Sequence, residues 1–152
     1  MIKMICFDMD GTIADLYRVN NWLAKLDAED ASAYTEAVAM WDMEELNSVL
    51  RALQNRGIEI RVVTWLSKNS SEEFKAATRK AKREWLERVN FPFDKFHGIR
   101  YGATKADSVR NSLGANETAI LIDDNDKVRN GWSLGATINP TTENIIEALK
   151  KL

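Results

Sequence analysis

Five short runs rich in apolar and β-branched residues, separated by longer stretches of helical periodicity, set the class of fold open to this chain. The runs cover 2–7 (IKMICF), 58–64 (IEIRVVT), 96–101 (FHGIRY), 118–122 (TAILI) and 136–138 (ATI). Apolar runs of this length read as strands. Strands that alternate with helices need crossover connections, so the pattern predicts a parallel sheet with helices on both faces. The 152 residues suit one domain with a real core, and 1–152 reads as a single unit without repeats, low-complexity tracts or a Pro/Gly-rich linker.

The helical segments carry boundary signals. Asp42 with Glu45 forms a box-like start before MEELNSVLRALQNRG, whose Met43, Leu46, Val49, Leu50 and Leu53 make one stripe that Gly57 stops. Ser70 with Glu73 predicts a second start, followed by Phe74, Ala77, Ala81, Trp85 and Val89 at helical spacing. Within it, KAATRKAKR reads as a solvated face. Later helices are expected over 105–113, 126–134 and 142–151.

Residues 16–42 break the alternation. Leu16, Val19, Leu23 and Leu26 suggest one short helix, and Tyr34, Val38 and Trp41 a second. An insert here would overhang the carboxyl end of strand one, the edge where open α/β sheets bind ligands. It is a candidate cap, with Tyr17, Trp22 and Trp41 available to face a ligand.

That edge concentrates chemistry. Strand one runs into Asp8 and Asp10, followed by Gly11-Thr12, and strand four runs into Asp123-Asp124. Thr64 ends strand two, and Lys105 follows strand three. Gathered carboxylates resist ionisation unless a cation compensates them. Oxygen donors without histidine or cysteine point to a hard ion, Mg²⁺ rather than zinc. A magnesium ion beside a hydroxyl, an amine and a turn with free N–H groups suits a phosphate. One carboxylate can attack phosphorus while another shuttles a proton.

The bulk composition narrows the partners. With 21 basic and 23 acidic residues the net charge is −2, which gives no general field for long nucleic acid. A lone cysteine, Cys6, excludes a disulfide framework and argues for a reducing compartment. The N-terminal apolar run is too short for a signal peptide, and no stretch approaches the ~20 apolar residues of a membrane span. A cytoplasmic location is the expectation.

DMDGT at 8–12 resembles the first motif, DxDx[TV], of the haloacid dehalogenase-like (HAD) superfamily. Thr64, Lys105 and Asp123-Asp124 are similar to its second, third and fourth motifs, in the same order. The resemblance implies a three-layer Rossmann-like α/β fold with strand order 5-4-1-2-3 and a small helical cap after strand one. It implies Asp8 as nucleophile and metal ligand, and Asp10 as general acid/base that also meets Mg²⁺ through its backbone carbonyl. Thr64 and Lys105 would hold phosphoryl oxygens, and Asp124, with Asp123, would hold the metal. Gly11, Trp65 and Lys68 complete the expected phosphate-binding set, Trp65 shaping the leaving-group side.

A narrower likeness joins DMDGTIAD, the helical insert, KREWLER and LIDDNDKVRNG to the 5′(3′)-deoxyribonucleotidase branch. It implies a nucleoside or deoxynucleoside monophosphate as substrate. Trp65 departs from that branch, which tends to place a small polar residue after the threonine. The compact insert is a second departure. Alternatives are a phosphatase of polynucleotide ends or of another small phosphometabolite, and a non-catalytic domain of the same fold.

Overall fold

The computed structural model describes residues 1–152. Its strands are β1 (Ile2–Phe7), β2 (Glu59–Trp65), β3 (Lys95–Ile99), β4 (Thr118–Ile122) and β5 (Thr137–Ile138). All neighbours are parallel, in the spatial order β3-β2-β1-β4-β5. Read from the opposite edge this is 5-4-1-2-3, the order the sequence resemblance implies.

Alternation along the strands builds two cores, because successive side chains of a strand face opposite sides. Ile5, Phe7, Ile60, Val62, Ile120 and Ile122 face one side. There they meet α3 (Met43–Asn55), α4 (Glu72–Arg88) and α7 (Ile145–Lys150) through Leu46, Leu50, Trp85, Leu86, Ile145 and Leu149. Met4, Cys6, Val63, Ala119 and Leu121 face the other side. They pack on Ala106 and Val109 of α5 (Lys105–Val109) and on Trp132, just past α6 (Asp126–Asn130). The result is a three-layer α/β fold. Cys6 lies in the second core, where burial pushes its thiol up to about 12, so it stays protonated and inert.

The helix boundaries follow their local chemistry. Asp42 accepts from the Glu45 N–H at 3.1 Å and opens α3 as its spacing predicts. α4 starts one residue later than expected, because Ser71 rather than Ser70 accepts from the Phe74 N–H, at 3.1 Å. Ser70 turns back to Ser67 instead. The buried stripe of α4 is Phe74, Thr78, Ala81, Lys82, Trp85 and Leu86. It includes a lysine from the segment read as a solvated face and omits Ala77, which is exposed.

Between β1 and α3 lie a single 3-10 turn (Leu16–Arg18), α1 (Trp22–Asp27) and α2 (Ser32–Glu36). Leu16, Ala33 and Tyr34 bury against Phe74 and Ala81 of α4, with Trp22 and Leu26 alongside, so this insert has its own small core. The second expected helix stops short. Val38 and Trp41 lie beyond α2 in irregular chain, and Val38 is exposed. No helix is long and apolar enough to cross a membrane.

Candidate active site

Parallel register brings the carboxyl ends of β1, β2 and β4 side by side, and the expected residues converge there. Asp8 is buried, one residue past β1. Its Oδ1 accepts from Lys105 Nζ at 2.7 Å, and its Oδ2 accepts from the Thr12 hydroxyl at 2.9 Å. Lys105 also donates to Asp123 Oδ2 at 2.8 Å, while Asp123 Oδ1 takes the Asn125 N–H at 2.9 Å. Burial opposes the charge on Lys105, but Asp8 and Asp123 overcome it and hold its pKa above that of an ordinary lysine. It is therefore a permanent cation at the base of the site.

Oxygen atoms of Asp8, Asp123 and Asp124 all lie within 4.8 Å of one another. Burial and then the charge of Asp8 push Asp123 up to about 6 and Asp124 up to about 7. Three crowded oxygen donors that resist ionising together fit a hard divalent cation such as Mg²⁺. The carboxylate of Asp10 is not in this cluster. It turns the other way, to Lys82, so it is not a side-chain ligand in this geometry. Thr12, to which the sequence motifs give no role, is the clamp of the loop. It donates to Asp8 and accepts the Asp124 N–H at 3.2 Å, tying β1 to β4.

Gly11 serves space rather than hydrogen bonding. Its φ is +77°, and a Cβ there would lie 2.4 Å from Asp124 Oδ2 and 2.8 Å from the Tyr17 ring. Its N–H donates to Ala14 O at 2.9 Å, so it is not the free phosphate donor expected. The turn closes on itself: the Thr12, Ile13 and Ala14 amides all donate to Met9 O. The amides left without a protein acceptor in this loop are those of Met9 and Asp10.

Lys82 is the residue sequence reading missed. It is fully buried and donates to Asp10 Oδ2 at 2.8 Å, Thr64 Oγ1 at 2.8 Å and Trp65 O at 2.9 Å. A signal existed: Lys82 falls four residues after Thr78 and four before Leu86, on the stripe that the helix buries. Burial raises the pKa of Asp10, and the charge of Lys82 pulls against that rise.

Asp8, Asp10, Thr64, Lys105, Asp123 and Asp124 line a cavity of about 990 Å³, with Lys82 behind it. Tyr17, Trp22, Leu23 and Leu26 of the insert join this lining, with the Tyr17 and Trp22 rings edge to face at 5.0 Å. Trp65, Lys68 and Tyr101 line it as well. Trp65 cannot use its indole N–H on a phosphate, because Nε1 donates to Ala103 O at 2.9 Å. Its ring covers Lys105 instead, with Nζ 5.3 Å from the ring centroid. Lys68 Nζ lies 5.6 Å from the Tyr101 ring centroid. Trp41 is absent from the lining. Its Nε1 donates to Thr12 O at 2.7 Å and its ring packs on the main core, so it braces the loop and faces no ligand.

A scan against protein-family models and a search of curated proteins found no match. Among solved structures, the chain is similar to a chain of the Pnkp1/Rnl/Hen1 RNA repair complex, at 15% identity and a TM-score of 0.61 over 91% of this chain. It spans only 42% of that chain's length. It is also similar to D,D-heptose 1,7-bisphosphate phosphatase from Burkholderia thailandensis, at 18% identity and a TM-score of 0.51, covering 88% of this chain and 74% of that one. The HAD domain of effector protein Lem4 from Legionella pneumophila gives 14% identity and a TM-score of 0.52, covering 99% and 92%. At these identities the likeness is one of fold, and the fold is that of HAD domains.

Proposed function

We propose that this chain is a Mg²⁺-dependent phosphomonoester hydrolase that works through an aspartyl-phosphate on Asp8. The observation that carries the reading is the setting of Asp8, held between Thr12 and Lys105 in a cavity it lines with Asp10 and Thr64. The three structural neighbours, among them a heptose bisphosphate phosphatase and a HAD domain, support it.

An Asp8 oxygen attacks phosphorus, and the bond from phosphorus to the leaving oxygen breaks. Asp10, whose pKa is raised by burial, gives that oxygen a proton. Asp10 then takes a proton from water, whose oxygen attacks phosphorus and breaks the bond to Asp8. Inorganic phosphate and the free carboxylate result. Lys105 stays cationic throughout and screens Asp8 from Asp123. Asp8, Asp123 and Asp124 would hold Mg²⁺, which supplies charge stabilisation to the transferring phosphoryl oxygens. Thr64 supplies a hydroxyl donor to the same oxygens.

The substrate class we favour is a nucleoside or deoxynucleoside monophosphate. The segment 16–42 acts as a cap that contributes Tyr17 and Trp22 to a cavity also lined by Trp65 and Tyr101. Flat rings in the lining suit a base. The likeness to an RNA repair chain favours a second reading, a phosphatase of polynucleotide ends. Phosphate release from mononucleotides, end-phosphorylated oligonucleotides and sugar phosphates, with and without Mg²⁺, separates the two. Asp8→Asn removes the attacking oxygen and is expected to lower release by roughly 10⁴-fold or more, the scale on which losing a nucleophile acts. Near-normal turnover in that variant overturns the reading.

A further inference from the structure

We propose that Lys82 is a positioning residue, which aims the proton-transferring carboxylate of Asp10 and the hydroxyl of Thr64 from behind. The inference rests on the hydrolase reading above and adds to it a residue that no sequence motif identified.

A lysine with no exposed surface is rare, because burial strips its charge of water and must be offset by close partners. Here the partners are complete. An ammonium has three N–H donors, and all three are used, on Asp10 Oδ2, Thr64 Oγ1 and Trp65 O. No donor remains for a phosphate, so Lys82 does not bind substrate. It acts on the groups that do.

The consequence for each group is geometric. Asp10 has one oxygen anchored to Lys82, and its other oxygen takes no hydrogen bond from the protein, so that oxygen exchanges protons in the cavity. Thr64 Oγ1 accepts from Lys82, so its own proton cannot point that way and is left to meet a phosphoryl oxygen. One buried ammonium therefore fixes a proton donor from the β1 loop relative to a hydroxyl at the end of β2. The Tyr34 ring of α2, 5.0 Å from Lys82 Nζ, closes over the same ammonium and seals it from water.

The test is Lys82→Met, which keeps the volume and removes the donors, read by kcat/KM on two monoesters. With 4-nitrophenyl phosphate the leaving group departs without help; with an alkyl phosphate it needs a proton. Because kcat/KM covers only the steps up to departure of that group, the alkyl ester should lose on the order of 100-fold or more, within the usual range for proton-transfer catalysis. The aryl ester should lose far less, and its slowed dephosphorylation should appear as a burst of 4-nitrophenol. Equal losses on both esters, or no loss on either, overturn the inference. A wild-type protein inert to both esters with Mg²⁺ overturns the hydrolase reading itself, a different outcome. If Lys82→Met does not fold, the wild-type ammonium is read by ¹⁵N NMR. The coupling from Lys82 Nζ to the Asp10 carboxyl carbon should persist when orthovanadate binds, and its loss, with Lys82 moving to the vanadate, overturns the inference.

Discussion

Lys105 sets its ammonium 2.7 Å from Asp8, 97 positions earlier in the chain, and the same nitrogen reaches Asp123 at 2.8 Å. All three groups are buried. One cation therefore keeps two carboxylates from β1 and β4 at a common point. Lys105→Met leaves that pair without compensation, and removing one member of a buried ionic group typically costs about 3–5 kcal/mol. Urea unfolding of the metal-free variant should show a loss on that scale. A loss below about 1 kcal/mol would mean that the site does not depend on this contact.

Stability should also depend on pH in an unusual direction. Asp123 and Asp124 are raised to about 6 and 7 in the folded chain, above the ordinary carboxylate value. Between about pH 4 and 7 the folded state therefore binds more protons than the unfolded one. The stabilisation from these two groups is full below the unfolded value and is lost as pH rises through 6 and 7. Calorimetry without metal should show Tm falling from pH 5 to pH 8 through this contribution. Added Mg²⁺, which needs the ionised carboxylates, should raise Tm more at pH 8 than at pH 5. A Mg²⁺ shift that is equal at both pH values contradicts the assignment of the acidic cluster.

Gly11 offers a steric test of the same cluster. Its φ of +77° strains any other residue, and a Cβ would press on Asp124 Oδ2 at 2.4 Å. Gly11→Ala should displace Asp124 and weaken Mg²⁺ binding about tenfold or more by calorimetric titration, the lower end of what disturbing a ligand's support costs. Gly57→Ala, whose Cβ meets nothing within 4 Å at a similar φ, is the control. It should lose stability without losing Mg²⁺ affinity.

What the sequence made legible was whatever depends on short-range pattern. The strand runs, the Asp42 cap of α3 and the acids at the strand ends all follow from residues within a few positions of one another. Lys82 is only faintly legible: its four-residue spacing from Thr78 and Leu86 puts it on the buried stripe, but RKAKR also reads as a solvated helix face, and only the folded α4 brings the ammonium to Asp10 and Thr64. Gly11 is expected at the phosphate by adjacency to the first motif, but its N–H is consumed by the Ala14 carbonyl, a contact that only the closed turn provides. Trp65 lines the cavity, as a ring shaping the leaving-group side requires, while its indole N–H goes to the Ala103 carbonyl of the β3–α5 loop. The start of α4 slipped from Ser70 to Ser71 for a similar reason, since both serines precede acids and Ser67 captures the first.

The aromatic residues of the insert separate by role in a way that kinetics can resolve. Trp22 lines the cavity beside Tyr17, whereas Trp41 is spent on the Thr12 carbonyl at 2.7 Å and on the main core. Trp22→Ala removes a stacking surface worth roughly 1–3 kcal/mol per base where a base meets an aromatic ring. It should therefore raise KM for a mononucleotide about 5- to 150-fold while moving that of a small generic phosphate ester far less. Trp41→Phe keeps most of the packing but leaves Thr12 O without its donor, at a cost of about 1–3 kcal/mol in stability. Because Thr12 holds Asp8, that substitution should depress both substrates by the same factor. Steady-state kinetics on the two variants with the two substrates gives four numbers. A selective loss from Trp41→Phe, or a uniform one from Trp22→Ala, would reverse the roles assigned to these rings and remove the support for a nucleotide in the cavity.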